Sequence, residues 1–175
     1  MNEELYQIIH RAKHGDREAF ADLVRRYKGL VFRYAMGMLN DRMDAEDASQ
    51  EAFVKAFFSL SNLDNEYAFS SWLFRIVSNL CKDRLKKITK ERMLVREVNE
   101  TIVDTNFSDP LERLSIEEGI SRLSVEHREV ILLHDIEGFR YEEIADMIEV
   151  PLGTIKSRLF AARMALRKQL RGEDK

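Results

Sequence analysis

Six basic residues and no acidic one fall between Leu152 and Arg171. At helical spacing Ile155, Leu159, Ala162 and Leu166 share one face, which leaves Thr154, Ser157, Phe160 and Ala161 on opposite or flanking sides with Lys156, Arg158 and Arg163 around them. Such a helix offers small polar groups to base edges and cations to the phosphates beside them. A second basic run, Lys82 to Arg92, holds six basic and two acidic residues. Acidic runs alternate with these: Asp41 to Glu51 has five acidic residues against one basic, and Asn99 to Glu118 has six against one. The net charge of −3 therefore averages over patches of both signs, a pattern suited to a chain that meets DNA in two places and basic protein surfaces elsewhere.

The residue patterns of common enzymes are missing. There is no Gly-rich phosphate loop, no His-Glu-x-x-His and no Gly-x-Ser-x-Gly. His10, His14, His127 and His134 form two pairs that no carboxylate or cysteine completes into a ligand set, so ordinary histidines and no metal are expected. Cys81 is the only cysteine, which excludes an internal disulfide and points to a half-buried helical thiol. No cofactor and no small-molecule substrate are expected. The opening MNEELYQIIHRAKHGDR is charged throughout, and no later stretch is apolar for the roughly 18 residues of a membrane span. A cytoplasmic chain without direct membrane insertion is the expectation.

These groups need helices to hold them, and only 7 Gly and 2 Pro interrupt 175 residues. Leu5, Ile8, Ile9 and Ala12 recur at helical spacing before a break at Gly15, and Asp16 can cap a second helix running to about Leu39 and Asn40. Asp44 can cap a third, with Ala45, Ala48, Ala52, Phe53, Ala56, Phe57 and Leu60 inward and Asp47, Gln50 and Glu51 directed elsewhere. Residues 61–69 read as a polar loop. Ser70 then caps a fourth helix that buries Trp72, Leu73, Ile76, Val77 and Leu80 and continues into the basic run. Periodicity fades over 97–109, as in a linker. Pro110 suits the first turn of a helix ending near Leu123, and Ser124 caps another that runs to Glu137 and stops at Gly138. Tyr141 to Ile148, a short turn and Leu152 to about Leu170 have the layout of a helix-turn-helix. The expected fold is all-α: two small helical domains, 1–96 and 110–175, joined by a flexible acidic linker at 97–109.

The stretch GFRYEEIADMIEVPLGTIKSRLFAARMALRKQL resembles the promoter-binding carboxy-terminal domain of extracytoplasmic-function sigma factors. DAEDASQEAFVKAF resembles that family's polymerase-binding helix, and FSSWLFRIVSNLCKDRLKK its downstream-promoter helix. The three segments stand in family order over nearly the whole chain. The resemblance implies a non-enzymatic subunit that binds core RNA polymerase and directs it to promoters, with Asp47, Gln50, Glu51 and Phe53 docking on the clamp coiled coil. It further implies −10 element contacts from Leu63, Asp64, Asn65, Glu66, Tyr67, Asn79 and Asp83, where a base leaves the stack and needs a pocket and hydrogen bonds. For the −35 element it implies Arg140, Thr154, Lys156, Ser157, Arg158 and Phe160; Arg163 joins them as a phosphate contact from its place on the basic helix. Members of the family are usually held inactive by an anti-sigma factor, a partner also expected here.

Two other readings compete. A helix-turn-helix regulator that acts without core polymerase would need a dimer helix or ligand pocket, and a helical nuclease would need a metal or nucleophile constellation. The acidic Asp-x-x-Gln-Glu helix argues against the first, and the missing constellation against the second.

Overall fold

Gly15 takes a φ of +93°, open to glycine without strain, and the Asp16 carboxylate accepts from the Ala19 amide at 3.0 Å. One helix, α1 (Glu3–Lys13), therefore stops and the next, α2 (Arg17–Leu39), starts within a few residues. That amide first, and Arg11 second, holds the Asp16 carboxyl below its usual range. In this computed structural model residues 3–98 and 115–171 are described, with side chains of the first stretch as far as residue 94. Asn40, at a left-handed φ of 53°, closes α2.

The third helix, α3 (Arg42–Ser59), starts a turn earlier than expected. Its cap is Asp41, not Asp44: the Asp41 carboxylate accepts from the Asp44 amide at 2.9 Å. Two short 3-10 turns, Leu60–Asn62 and Glu66–Ala68, occupy the expected polar loop. Ser70 does not cap α4 (Phe69–Val98); its hydroxyl pairs with the Tyr27 hydroxyl at 2.7 Å. At about 1.5 Å per residue the 30 residues of α4 span roughly 45 Å. The helix overruns the boundary expected at residue 96, and the remainder of the expected linker, 99–109, lies outside the described residues.

Leu23, Val31, Tyr34 and Met38 of α2 meet Leu73, Phe74 and Val77 of α4 in the first core, with Tyr34 edge-on to Phe74 at 5.5 Å. From α3 the fully buried groups of this core are small, Ala45, Ala48, Ala52 and Ala56, with Ser49 bonded back to the Ala45 carbonyl and Phe53 half buried beside them. Phe57, expected inward, is exposed and stands edge-on to Phe20. Cys81 is fully rather than half buried, and burial pushes its thiol up to about 12.

In the second half a capping box between Ser115 and Glu118 opens α5 (Ile116–Ser121), and the earlier start expected at Pro110 lies outside the described residues. Ser124 caps α6 (Val125–Ile131), which widens into a π-helical turn at Leu132–Ile136 before Gly138 at φ +79°. Then come α7 (Tyr141–Ile148) and α8 (Leu152–Leu170), packed around Val130, Leu133, Ile144, Ile155, Leu159 and Ala162. Among the described residues there are eight α-helices and no strand.

The two halves are closed on each other. Phe139 packs edge-on to Phe74 at 5.0 Å, and Arg128 donates to the Met38 carbonyl at 2.6 Å. Glu129, only 3% exposed, accepts from the Ser78 hydroxyl and pairs with Lys82 at 3.0 Å. Arg33 pairs with Glu137 at 2.9 Å, and Arg75 with Glu149. Gly37 lets the halves approach, since a β-carbon there would lie 2.7 Å from the Leu132 side chain.

Candidate DNA and polymerase interfaces

Because α3 turns its alanines inward, most of its larger side chains remain in water. Met43, Asp47, Gln50, Val54 and Phe57 follow each other at intervals of four, three, four and three residues, with Glu51 and Phe58 alongside, so they form one outward stripe. Val54 is 56% exposed and Phe58 77%. A mixed stripe of acids and bare apolar groups is the composition of a docking surface for another protein. Arg84 of α4 anchors its acidic edge, 3.0 Å from Asp44 and 3.8 Å from both Asp47 and Glu51. Phe53, expected on this surface, instead leans on the core as a half-buried residue. Val54 and Phe58 were missed; the signal that could have found them is the row of four alanines, which fixes the opposite side as outward.

The loop before α4 and the first turns of α4 form a groove of about 480 Å³, lined by Asp64, Asn65, Tyr67, Trp72 and Arg75 among others. Asn65 caps the second 3-10 turn by accepting from the Tyr67 amide at 2.9 Å, which fixes the loop's shape. Trp72, expected to be core, is half buried and faces this groove while resting on Phe69 at 5.8 Å. Asn79 and Asp83 are exposed about two turns and three turns further along the face of α4 that Trp72 begins. Leu63, although buried, also lines the groove, whereas Glu66 turns to α1, where it meets Lys13 at 3.3 Å and His10 at 3.4 Å. The Glu66 carboxyl is held below its usual range by its own backbone amide first and by these two partners after it. Across the groove stand Glu143, Asp146 and Met147 of α7, so in the closed chain one wall belongs to the second half.

Helix α8 presents Lys156, Ser157 and Phe160 to solvent, with Thr154 and Arg158 half exposed. Its inner face is the expected one, Ile155, Leu159 and Ala162, with Leu166 beside Gly119. Arg140, exposed just ahead of α7, donates its amide to Glu143 at 2.8 Å. Arg163 has a partner within the chain. Its guanidinium forms a two-point ion pair with Asp135, one contact at 3.1 Å, and that hydrogen-bonded partner raises its pKa. The fork geometry ties α8 to the π turn, and a phosphate reaching Arg163 would compete with this carboxylate.

Among the described residues no helix is long and apolar enough to cross a membrane, and no three His, Cys, Asp or Glu side chains gather as a metal site. Sequence families described as Sigma-70 region 2 and Sigma-70 region 4 match residues 23–91 and 113–166. The ECF RNA polymerase sigma factor SigW of Bacillus subtilis is 36% identical, over 93% of this chain and 95% of its own length. The ECF RNA polymerase sigma-E factor of Escherichia coli is 33% identical, over 95% of both chains. Among solved structures, RpoE of Bartonella quintana in complex with the anti-sigma factor NepR aligns over 89% of this chain and 98% of its own, at 25% identity and a TM-score of 0.70. CnrH in complex with the cytosolic domain of CnrY shares the fold at a TM-score of 0.72 and 24% identity, covering 97% of this chain and 98% of its own. The order of the helices, the outward acidic stripe of α3 and the helix-turn-helix of α7 and α8 agree with these matches along the whole described chain: it belongs to the extracytoplasmic-function family of RNA polymerase sigma factors and directs transcription initiation.

Proposed function

We propose that the chain docks on the clamp coiled coil of core RNA polymerase through the outer face of α3, holds the opened −10 element in the groove before α4, and reads the −35 duplex with α8. The observation that carries this division of labour is the composition of α3, where Met43, Val54, Phe57 and Phe58 are left outside while alanines face the core. Asp47, Gln50 and Glu51 supply the polar part of the stripe, and Val54 and Phe58 the apolar part. Asp64, Asn65, Tyr67 and Trp72 surround the groove, with Asn79 and Asp83 continuing along α4. No step here is covalent, so the chain is a regulatory subunit rather than an enzyme. It acts where polymerase and promoters are, in the cytoplasm. The solved complexes of CnrH with CnrY and of RpoE with NepR support an anti-sigma partner for this chain as well.

The test of the clamp assignment is a core-binding titration with Val54→Asp combined with Phe58→Ala. Core affinity is expected to fall at least about tenfold, because a carboxylate desolvated in an apolar contact costs more than 1.4 kcal/mol. Helical circular dichroism and the melting temperature are expected to stay as in the parent, since both residues face water. Unchanged affinity in the folded variant removes α3 from the interface.

For α8, transcription by the reconstituted holoenzyme is measured on promoters varied one base at a time upstream. Lys156→Ala is expected to change the ranking of these promoters by about 1 to 3 kcal/mol at one position, the usual value of a base contact. If the ranking survives Lys156→Ala and Ser157→Ala together, this face does not read sequence.

A further inference from the structure

From Asn62 to Ala68 every residue except Glu66 lines the groove. Glu66 points the other way, and its side chain keeps only 13% of its surface in water, against 19% for its partner Lys13. The carboxylate accepts from the Lys13 ammonium at 3.3 Å and lies 3.4 Å from His10 Nδ1, so the back of the loop is fastened to the last turn of α1. The front is set by local bonds. Asn65 accepts from the Tyr67 amide through its side chain and from the Ala68 amide through its carbonyl at 3.0 Å, and the Ser71 hydroxyl donates to the Ala68 carbonyl at 2.9 Å. Bonds of a 3-10 turn have poor geometry, so turns this short depend on what holds their ends. Buried Leu63 anchors the exit of the first turn, and the Glu66 tether stands at the head of the second. The Tyr67 ring also rests on Tyr6 at 5.2 Å, an undirected contact that keeps loop and helix near each other without fixing the shape of the loop.

We propose that Glu66 is a positioning residue for promoter selectivity: held by Lys13, its carboxylate fixes the loop in the shape that presents Asp64, Asn65 and Tyr67 to the captured base, and it does so from behind, without touching DNA. The inference rests on the −10 reading of the groove and adds to it the group that forms the pocket beforehand. A pocket already formed loses little ordering entropy when the base arrives, whereas a loose loop must be ordered by the base itself. The penalty falls on the base whose hydrogen bonds need the correct geometry. Bases held by stacking alone tolerate a loose loop, so losing the tether narrows the preference between bases more than it weakens the poorer ones.

The experiment uses holoenzyme reconstituted from core polymerase and the full chain, and reads open-complex formation on promoters varied one base at a time in the −10 element. Glu66→Gln, which keeps the size and loses the charge, is expected to narrow the preference at the captured base about fivefold, and Lys13→Met to do the same. Glu66→Lys combined with Lys13→Glu re-forms the pair with its ends exchanged and is expected to return the preference to within about twofold of the parent. A loss that the exchange leaves in place or deepens is the mark of direct contact with DNA and overturns the inference. Hydrogen exchange of the free chain is a second measure, which stands even where the exchanged pair folds poorly. Glu66→Gln is expected to speed exchange of the Tyr67 and Ala68 amides about tenfold while the amides of α2 keep the parent rate, since only the loop is released. An unchanged preference in Glu66→Gln, or equal acceleration across the whole first half, overturns the inference as well. The underlying reading fails separately: it falls if Asn65→Ala and Tyr67→Leu leave the preference at every position unchanged.

Discussion

Lys82→Met is expected to loosen the closure between the two halves far more than Glu129→Gln, although the two residues are partners in one ion pair. Glu129 is buried in the closed chain, whereas the Lys82 side chain keeps 27% of its surface in water. Losing the lysine strands a carboxylate with only the Ser78 hydroxyl for company, and breaking a buried pair from that side costs a few kcal/mol. Losing the charge of the glutamate leaves an amide that still accepts from Ser78 and a lysine that can turn outward. Because the cost exists only while the halves are together, it shifts the open and closed populations. With the partial exposure of Lys82 discounted, about 2 to 3 kcal/mol is expected, roughly 30- to 150-fold in the open fraction. Leu132→Cys places a thiol in the interface beside Gly37, and its alkylation rate reports that fraction directly. The native thiol, buried and with its pKa raised to about 12, stays silent on this timescale. A rate unchanged by Lys82→Met, or raised more by Glu129→Gln, would show that the pair does not hold the halves together.

Leu159→Ala is expected to separate the two halves thermodynamically. Leu159 is 1% exposed at the centre of the second core, and removing a buried leucine costs about 2 to 5 kcal/mol. That is a large part of the stability of so short a helical unit. Calorimetry of the full chain is expected to split into two transitions, the second half melting first and the first half near the parent temperature. In reconstituted transcription, promoters that depend on the upstream element are expected to lose most activity, with core affinity through α3 little changed. A single transition shifted as a whole would mean that the interface couples both halves into one cooperative unit.

Much of the helical layout is legible without coordinates, because caps are local. Asp16, Asn40, Ser124 and Gly138 mark their helix ends by chemistry confined to a few residues. The start of α3 is less determinate, since DRMD offers two aspartates three apart and either could cap; Asp41 is the one that does. The inner face of α3 is legible as a row of alanines, but Phe53 and Phe57 flank that row and hydrophobicity alone sends both inward. The structure leaves Phe57 out, where it meets Phe20.

Contacts distant in sequence are what periodicity cannot supply. Glu129 reads as one more acid on a helix surface until Lys82 and Ser78 are brought against it, about fifty residues away in the chain. The same holds for Arg163, whose cation looks free until the π turn carries Asp135 to it. Glu66 looks like a loop residue open to DNA until α1 claims its carboxylate. For the candidate sites, then, residue types and helix faces are readable, whereas which charges are already matched is not.

The alanine face of α3 has a calorimetric consequence. A helix that enters the core through methyl groups removes little of its apolar surface from water when the chain folds, so the hydration of Met43, Val54, Phe57 and Phe58 survives into the native state. A protein docked on this stripe, as proposed, would complete that dehydration. Its association is therefore expected to carry a markedly negative heat-capacity change, with a binding enthalpy that grows more favourable as temperature rises. In that respect part of the folding of α3 is deferred to the moment of assembly.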